Sequence, residues 1–126
     1  MKKIIFSLAL LTMIFLFHCD TNAQNNTSVL RHIVIITFKN DANADSIKAL
    51  DNLYETLSKN PSVKDFEMGV NISTRDTGVV KHVYVTSFAS KDDMDSYRKQ
   101  PGYSSLFKIS LPVAEDVSVV DYWAKK

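Results

Sequence analysis

Two histidines and one tyrosine are the side chains of this sequence that suggest chemistry: His32, His82 and Tyr97. An imidazole accepts a proton near neutral pH and a phenol can donate one, so these are candidate catalytic residues for acid–base chemistry. No metal is predicted, because two histidines are too few and no nearby cysteine or carboxylate pair completes a ligand set. No P-loop, Rossmann glycine pattern or Ser-His-Asp arrangement is present, and no cofactor is predicted. The structural alternative is that both histidines only hydrogen-bond neighbouring backbone and that Tyr97 belongs to the core.

Charge argues against a nucleic-acid partner. The 126-residue chain has 15 Lys and Arg residues against 14 Asp and Glu, a formal net charge of +1. It has no basic run or Lys/Arg stripe of the kind that neutralises phosphates.

The first 23 residues have the layout of a secretory signal peptide. Lys2 and Lys3 form a positive head, and the largely apolar segment 4–17 follows. That segment is shorter than the ~17–25 residues that a spanning helix needs. We therefore predict a signal peptide at 1–23, a short tether at 24–30, and one domain at 31–126.

An internal repeat indicates how this domain is organised. Segment 31–38 begins with Arg31-His32 and ends with Phe38, and segment 81–88 begins with Lys81-His82 and ends with Phe88. Both are rich in β-branched and aromatic residues, as strands are. Helical patterns follow both, and each half then returns to an alternating strand, predicted at 63–72 and 116–123. The order β-α-β-β-α-α-β predicts an α+β, ferredoxin-like fold with a four-stranded antiparallel sheet.

Both faces of the sheet are apolar. In the first strand Val34 and Ile36 lie on one face, while Ile33 and Ile35 lie on the other. Three short helices can cover only one face, so the outer face is predicted to pack against a second copy of the chain.

Several short motifs, in order and over nearly the whole domain, resemble the stress-responsive A/B barrel domain family. They are Arg31-His32-Ile33-Val34, Phe66-Glu67-Met68-Gly69, Lys81-His82-Val83-Tyr84, Gln100-Pro101-Gly102-Tyr103 and Val119-Val120-Asp121-Tyr122. The resemblance implies a dimeric α+β barrel. Most such proteins have no assigned reaction, but one plant member is a polyketide cyclase that uses neither metal nor cofactor.

The resemblance also allows the cyclase site to be compared residue by residue. Tyr97 matches the cyclase tyrosine, and His32 and His82 match its two strand histidines. The cyclase's catalytic histidine is replaced here by Tyr103, and a phenol with a pKa of about 10 is a poor base at neutral pH. Catalysis by the cyclase mechanism is therefore not expected.

A ligand pocket is implied between the sheet and the helices. Alternate side chains of a strand share a face, and the resemblance turns the face of His32 and His82 toward the helices. The predicted ligand-binding residues are His32, Val34, Ile36, Leu50, Tyr54, His82, Tyr84, Tyr97, Tyr103, Val117 and Val119. The first hypothesis is a non-catalytic dimer that binds a small apolar or aromatic molecule, or that simply assembles in a stress or envelope role. The alternative is a cofactor-independent cyclase, lyase or monooxygenase acting on an aromatic or polyketide-like substrate.

The predicted export can be tested at the N terminus. Cleavage after Ala23 follows the small-residue rule and gives a chain that begins at Gln24 in the periplasm or medium. The alternative is a lipoprotein anchored to the membrane through Cys19, although His18 stands where a bacterial lipobox has a small residue. We expect mass analysis of the purified protein to show an unmodified Gln24 terminus. A lipid-modified Cys19 would contradict the prediction.

Overall fold

The computed structural model describes residues 28–125. Its elements are strand β1 (Val29–Phe38), helix α1 (Ala44–Leu57), strand β2 (Val63–Val70), a short 3-10 turn (Thr74–Asp76), strand β3 (Lys81–Phe88), helices α2 (Lys91–Arg98) and α3 (Tyr103–Val113), and strand β4 (Ala114–Ala124). The predicted signal peptide 1–23, with Cys19 and Ala23, and residues 24–27 of the predicted tether lie outside the described residues.

The strands form one antiparallel sheet in the order β2-β3-β1-β4. The predicted ferredoxin-like α+β fold, with its order of elements, is confirmed. β1 is central and pairs with both β3 and β4, so Val34 lies opposite Tyr84 on one side and Val119 on the other. By the same register, His32 lies between Thr86 and Asp121.

Strand alternation defines the core. Along β1, the side chains of Leu30, His32, Val34, Ile36 and Phe38 are buried, and those between them are half-buried. The inward side chains of β3 alternate in the same way. The core therefore lies between one face of the sheet and the helices.

Helix ends are set by local side chains. The Asn43 side chain accepts a hydrogen bond from the Ser46 N–H at the start of α1, and Ser90 accepts one from the Asp93 N–H at the start of α2. Both satisfy N–H groups that lack a partner within their helix.

None of the three helices in residues 28–125 is both long enough and apolar enough to cross a membrane.

The outer face of the sheet is apolar and only partly covered. Ile33 and Ile35 of β1 and Val83 and Val85 of β3 are half-buried there. A shallow depression beside β2 exposes Val83 and Val85 next to Glu67.

Three strands differ in their bounds from the prediction. β1 begins at Val29, so the last two residues assigned to the tether belong to the strand, where Leu30 is buried opposite Phe88. β2 ends at Val70, because the chain then leaves the sheet and Ile72 is 93% exposed. β4 begins at Ala114, where it pairs with Phe38 beside a register shift.

Candidate functional site

A cavity of about 690 Å³ lies between the sheet and α3. The residues that line it are His32, Val34, Ile36, Tyr54, Arg98, Tyr103, Leu106, Phe107, Ser110, Leu111, Ala114, Glu115, Asp116, Val117 and Val119. Phe107 and Leu111 of α3 and Val117 and Val119 of β4 are exposed, so the cavity opens to solvent between these two elements. A concave, mostly apolar surface with a few polar groups is the usual composition of a small-molecule site.

The predicted ligand-binding residues fall into two groups. Seven line the cavity: His32, Val34, Ile36, Tyr54, Tyr103, Val117 and Val119. The other four, Leu50, His82, Tyr84 and Tyr97, are buried in the core and do not line it. The cavity therefore follows β1 and β4, whereas the β3 side is filled by packed side chains. Contact of either group with a ligand stays a prediction.

His32 is held in one orientation by a carboxylate. Its Nδ1 lies 2.6 Å from Oδ1 of Asp121, the residue opposite it on β4. Oδ2 of Asp121 accepts a hydrogen bond of 3.1 Å from the guanidinium of Arg98 at the end of α2. A neutral imidazole that donates from Nδ1 has its lone pair on Nε2. His32 is only 3% exposed, so this lone pair is a directed acceptor on a buried ring.

The environment of Asp121 favours its ionised form. Burial alone would raise its pKa, but the hydrogen bond and charge of His32, together with Arg98, outweigh burial and lower the pKa below its ordinary value of 3.8. Sequence reasoning missed Asp121 and Arg98 as site residues. The β1–β4 pairing identifies Asp121 as a site residue, because it places Asp121 opposite His32 once the register is known.

His82 belongs to a second, separate network. Its Nδ1 lies 2.8 Å from Oδ1 of Asp51 in α1, and the Tyr84 hydroxyl donates to the same oxygen at 2.6 Å. Burial, followed by the hydrogen bond and charge of Asp51, raises the pKa of Tyr84 well above its ordinary value. Asp51 too was missed, since nothing in the helical pattern marks it as a partner of two strand residues.

Tyr97 lies behind the cavity wall. It is fully buried, its ring packs 5.3 Å from that of Phe88 and 5.5 Å from that of Tyr103, and its hydroxyl has no hydrogen-bond partner within residues 28–125. Burial is the chief cause that raises its pKa to about 12. The phenol is therefore protonated at neutral pH and cannot serve as a base.

No group of three or more His, Cys, Asp or Glu side chains in the described part of the chain is arranged to hold a metal ion. His32 is the imidazole in the cavity lining, and its orientation is set by Asp121. Such a group can accept a hydrogen bond from a ligand, or accept a proton from one.

The fold and this sheet–helix cavity define a small ferredoxin-like domain. Residues 30–124 match the model of the Stress responsive A/B Barrel Domain family, and the chain belongs to that family. It is 24% identical over 111 residues to a stress-response A/B barrel domain-containing protein of Arabidopsis thaliana, a match that covers 87% of this chain and 42% of the plant protein. The chain thus spans less than half the length of that relative.

Several solved structures have the same fold, and two of them illustrate the range of described proteins. One is a dimeric ferredoxin-like protein of unknown function from Thermobifida fusca, with a TM-score of 0.65 and 17% identity, covering 77% of this chain and 92% of the other. The second is the hydroxynitrile lyase of Passiflora edulis, with a TM-score of 0.67 and 23% identity, covering 78% and 94%. At these identities the likeness is one of fold.

The Asp121 carboxylate should make stability depend on pH. Because its pKa in the folded protein is lowered, its contribution is fully present above its ordinary value of 3.8 and is lost as the pH falls through the lowered value. We expect Asp121→Asn to reduce the free energy of unfolding at pH 7, and the difference from the unmodified chain to vanish as the pH falls below about 4. Urea unfolding across this range measures it. A difference for Asp121→Asn that is constant with pH would contradict the prediction.

Proposed function

We propose that this domain binds a small, uncharged apolar or aromatic molecule in the cavity. The observation that carries the proposal is the oriented imidazole of His32 in the floor of an otherwise largely apolar space of about 690 Å³. The acceptor at Nε2 suits a ligand that offers one O–H or N–H donor. The lining charges argue against an anionic ligand, because Arg98 is paired with Asp121 while Glu115 and Asp116 would repel an anion. The otherwise largely apolar lining favours an uncharged ligand, because a charged group loses its hydration there. We further propose that the domain acts after export, in a stress-related role.

A pair of probes tests the role of His32. We expect 1-naphthol to bind about two- to tenfold more tightly than naphthalene, which lacks the hydroxyl, since a hydrogen bond contributes about 0.5–1.5 kcal/mol. His32→Phe should remove this preference while the chain still binds both probes, as measured by fluorescence titration. Thr86→Val is the matched control: Thr86 is buried directly opposite His32 on β3 but does not line the cavity, so the preference should persist. Absence of binding to the unmodified chain, or a preference unchanged in His32→Phe, would contradict the proposal.

A second candidate function is catalysis by a general base without metal or cofactor. The His32–Asp121 pair favours it, because a carboxylate that orients an imidazole also stabilises the imidazolium formed on proton transfer. Against it, Tyr103 stands where the resemblance places the cyclase histidine. Binding and catalysis can be distinguished with 2-tetralone, a ketone of naphthol size with acidic C–H groups. A base exchanges those protons for solvent deuterium faster than buffer does, whereas a binding domain leaves the exchange rate unchanged.

We also propose that the chain forms a homodimer through the outer face of the sheet. Ile33, Ile35, Val83 and Val85 give that face an apolar centre with no helix of the described fold packed on it. Structural neighbours, including the Thermobifida fusca protein, are described as dimeric. Two sheets packed face to face would bury these side chains from both copies.

The dimer can be tested by placing a charge on this face. We expect the unmodified protein to have twice the monomer mass by light scattering. Ile35→Glu and Val85→Glu should each give monomer or insoluble protein, because burying an unpaired charge at the interface is strongly unfavourable. Ala49→Glu, at an exposed position of α1, is the control and should remain dimeric. A stable monomer of the unmodified chain, or dimeric Glu variants, would contradict the proposal.

A further inference from the structure

The floor of the cavity stops abruptly at β3. β1 contributes His32, Val34 and Ile36 to the lining, and β4 contributes residues beside them, but β3 contributes none. Yet Tyr84 of β3 lies directly opposite Val34, and His82 directly opposite Ile36, on the same face of the sheet. On the face of the sheet that is turned toward the helices, the space over β1 is open and the corresponding space over β3 is filled.

Two stacked tyrosine rings fill it. The ring of Tyr54 lies 3.8 Å from that of Tyr84, at an interplanar angle of 15°. Tyr54 lines the cavity, whereas Tyr84 is fully buried and does not. The pair therefore stands between the cavity and the packed side chains of His82 and Asp51.

The inner ring is fixed on two sides. Its hydroxyl donates to Asp51 at 2.6 Å, and Asp51 also binds His82 at 2.8 Å. Tyr54 closes its other side. A ring held by a hydrogen bond, by stacking and by complete burial has little freedom to move aside for a ligand.

We propose that the Tyr54–Tyr84 pair is a partition that sets the length of the ligand, and that Tyr84 is the specificity-determining residue. The inference rests on the proposed binding function. A smaller side chain at position 84 lets Tyr54 lean toward β3 and extends the cavity as far as His82, so that a longer ligand fits and contacts His82.

Two hydroxylated probes of different size test the partition: 1-naphthol and the larger 1-hydroxypyrene. In Tyr84→Val, the affinity for 1-hydroxypyrene relative to 1-naphthol should rise at least about tenfold, since additional aromatic area becomes buried. Tyr84→Phe keeps the ring and should leave the ratio unchanged. Phe88→Val is the matched control, because it removes a fully buried ring from the same strand at a position that does not line the cavity. An unchanged ratio in Tyr84→Val overturns the partition, even where 1-naphthol binding upholds the proposed function.

NMR of the histidine rings gives a measurement that does not depend on a variant folding. In the unmodified chain, 1-naphthol should shift the ring signals of His32 and leave those of His82 in place. Shifts of both rings would overturn the partition. If 1-naphthol does not bind but Tyr84→Val binds 1-hydroxypyrene with contacts to His82, the partition stands and the proposed function fails.

If neither probe binds any variant, the partition is tested by the positions of xenon in pressurised crystals of the unmodified chain and of Tyr84→Val. Xenon beside Val34 in both proteins, and beside His82 only in Tyr84→Val, supports the partition. Xenon beside His82 in the unmodified chain overturns it.

Discussion

The imidazoles of His32 and His82 lie between the sheet and the helices, and each needs a hydrogen-bond partner there. Much of this structure depends on which residues supply those partners. A buried polar group without a hydrogen bond costs about 1–3 kcal/mol. His32 and His82, which are 3% and 9% exposed, each place Nδ1 against a carboxylate. The same two contacts connect separate elements, since Asp121 links β4 and α2 to β1, and Asp51 links α1 to β3.

The two halves of the repeat place a histidine in different surroundings. His32 and His82 occupy equivalent strand positions, but the partner of His32 comes from a neighbouring strand and that of His82 from a helix above the sheet. The strand partner Asp121 stands beside the His32 ring on the same face of the sheet and not over it, so the space above His32 stays open. A helix partner lies over the sheet and, with Tyr84 bound to it, closes the space above His82. Divergence of the two halves thus leaves one imidazole in a cavity and the other in the core.

Local patterns in the sequence were enough to predict the fold. Alternation in segments 31–38 and 81–88, and the apolar spacing that includes Leu50, Tyr54 and Leu57, depend on contacts within a few residues and a single core. The site was only partly predictable, because its pairs join residues far apart in the chain. The Asp121–His32 contact depends on the β1–β4 register, which shifts between Thr37 and Phe38, and the Asp51 contacts depend on how α1 lies across β3. Some of the predicted lining residues belong to the core because Tyr84 stacks on Tyr54 and fills the space over β3. The sequence shows the size of Tyr84 but does not show where its ring lies relative to Tyr54.

The polar groups of the cavity lining differ in whether they donate or accept a hydrogen bond. Burial raises the pKa of Tyr54, and the neighbouring phenols Tyr97 and Tyr103 raise it further, so the hydroxyl in the cavity wall stays protonated at neutral pH. Tyr97 behind the wall, with a pKa raised to about 12, is protonated as well. Of these two phenols only Tyr54 lines the cavity, and its O–H can donate a hydrogen bond there, whereas Nε2 of His32, freed by the Nδ1 contact with Asp121, is an acceptor in the floor. A ligand with a hydroxyl at one end and an aromatic or carbonyl group at the other would therefore have one preferred orientation, with the hydroxyl at His32.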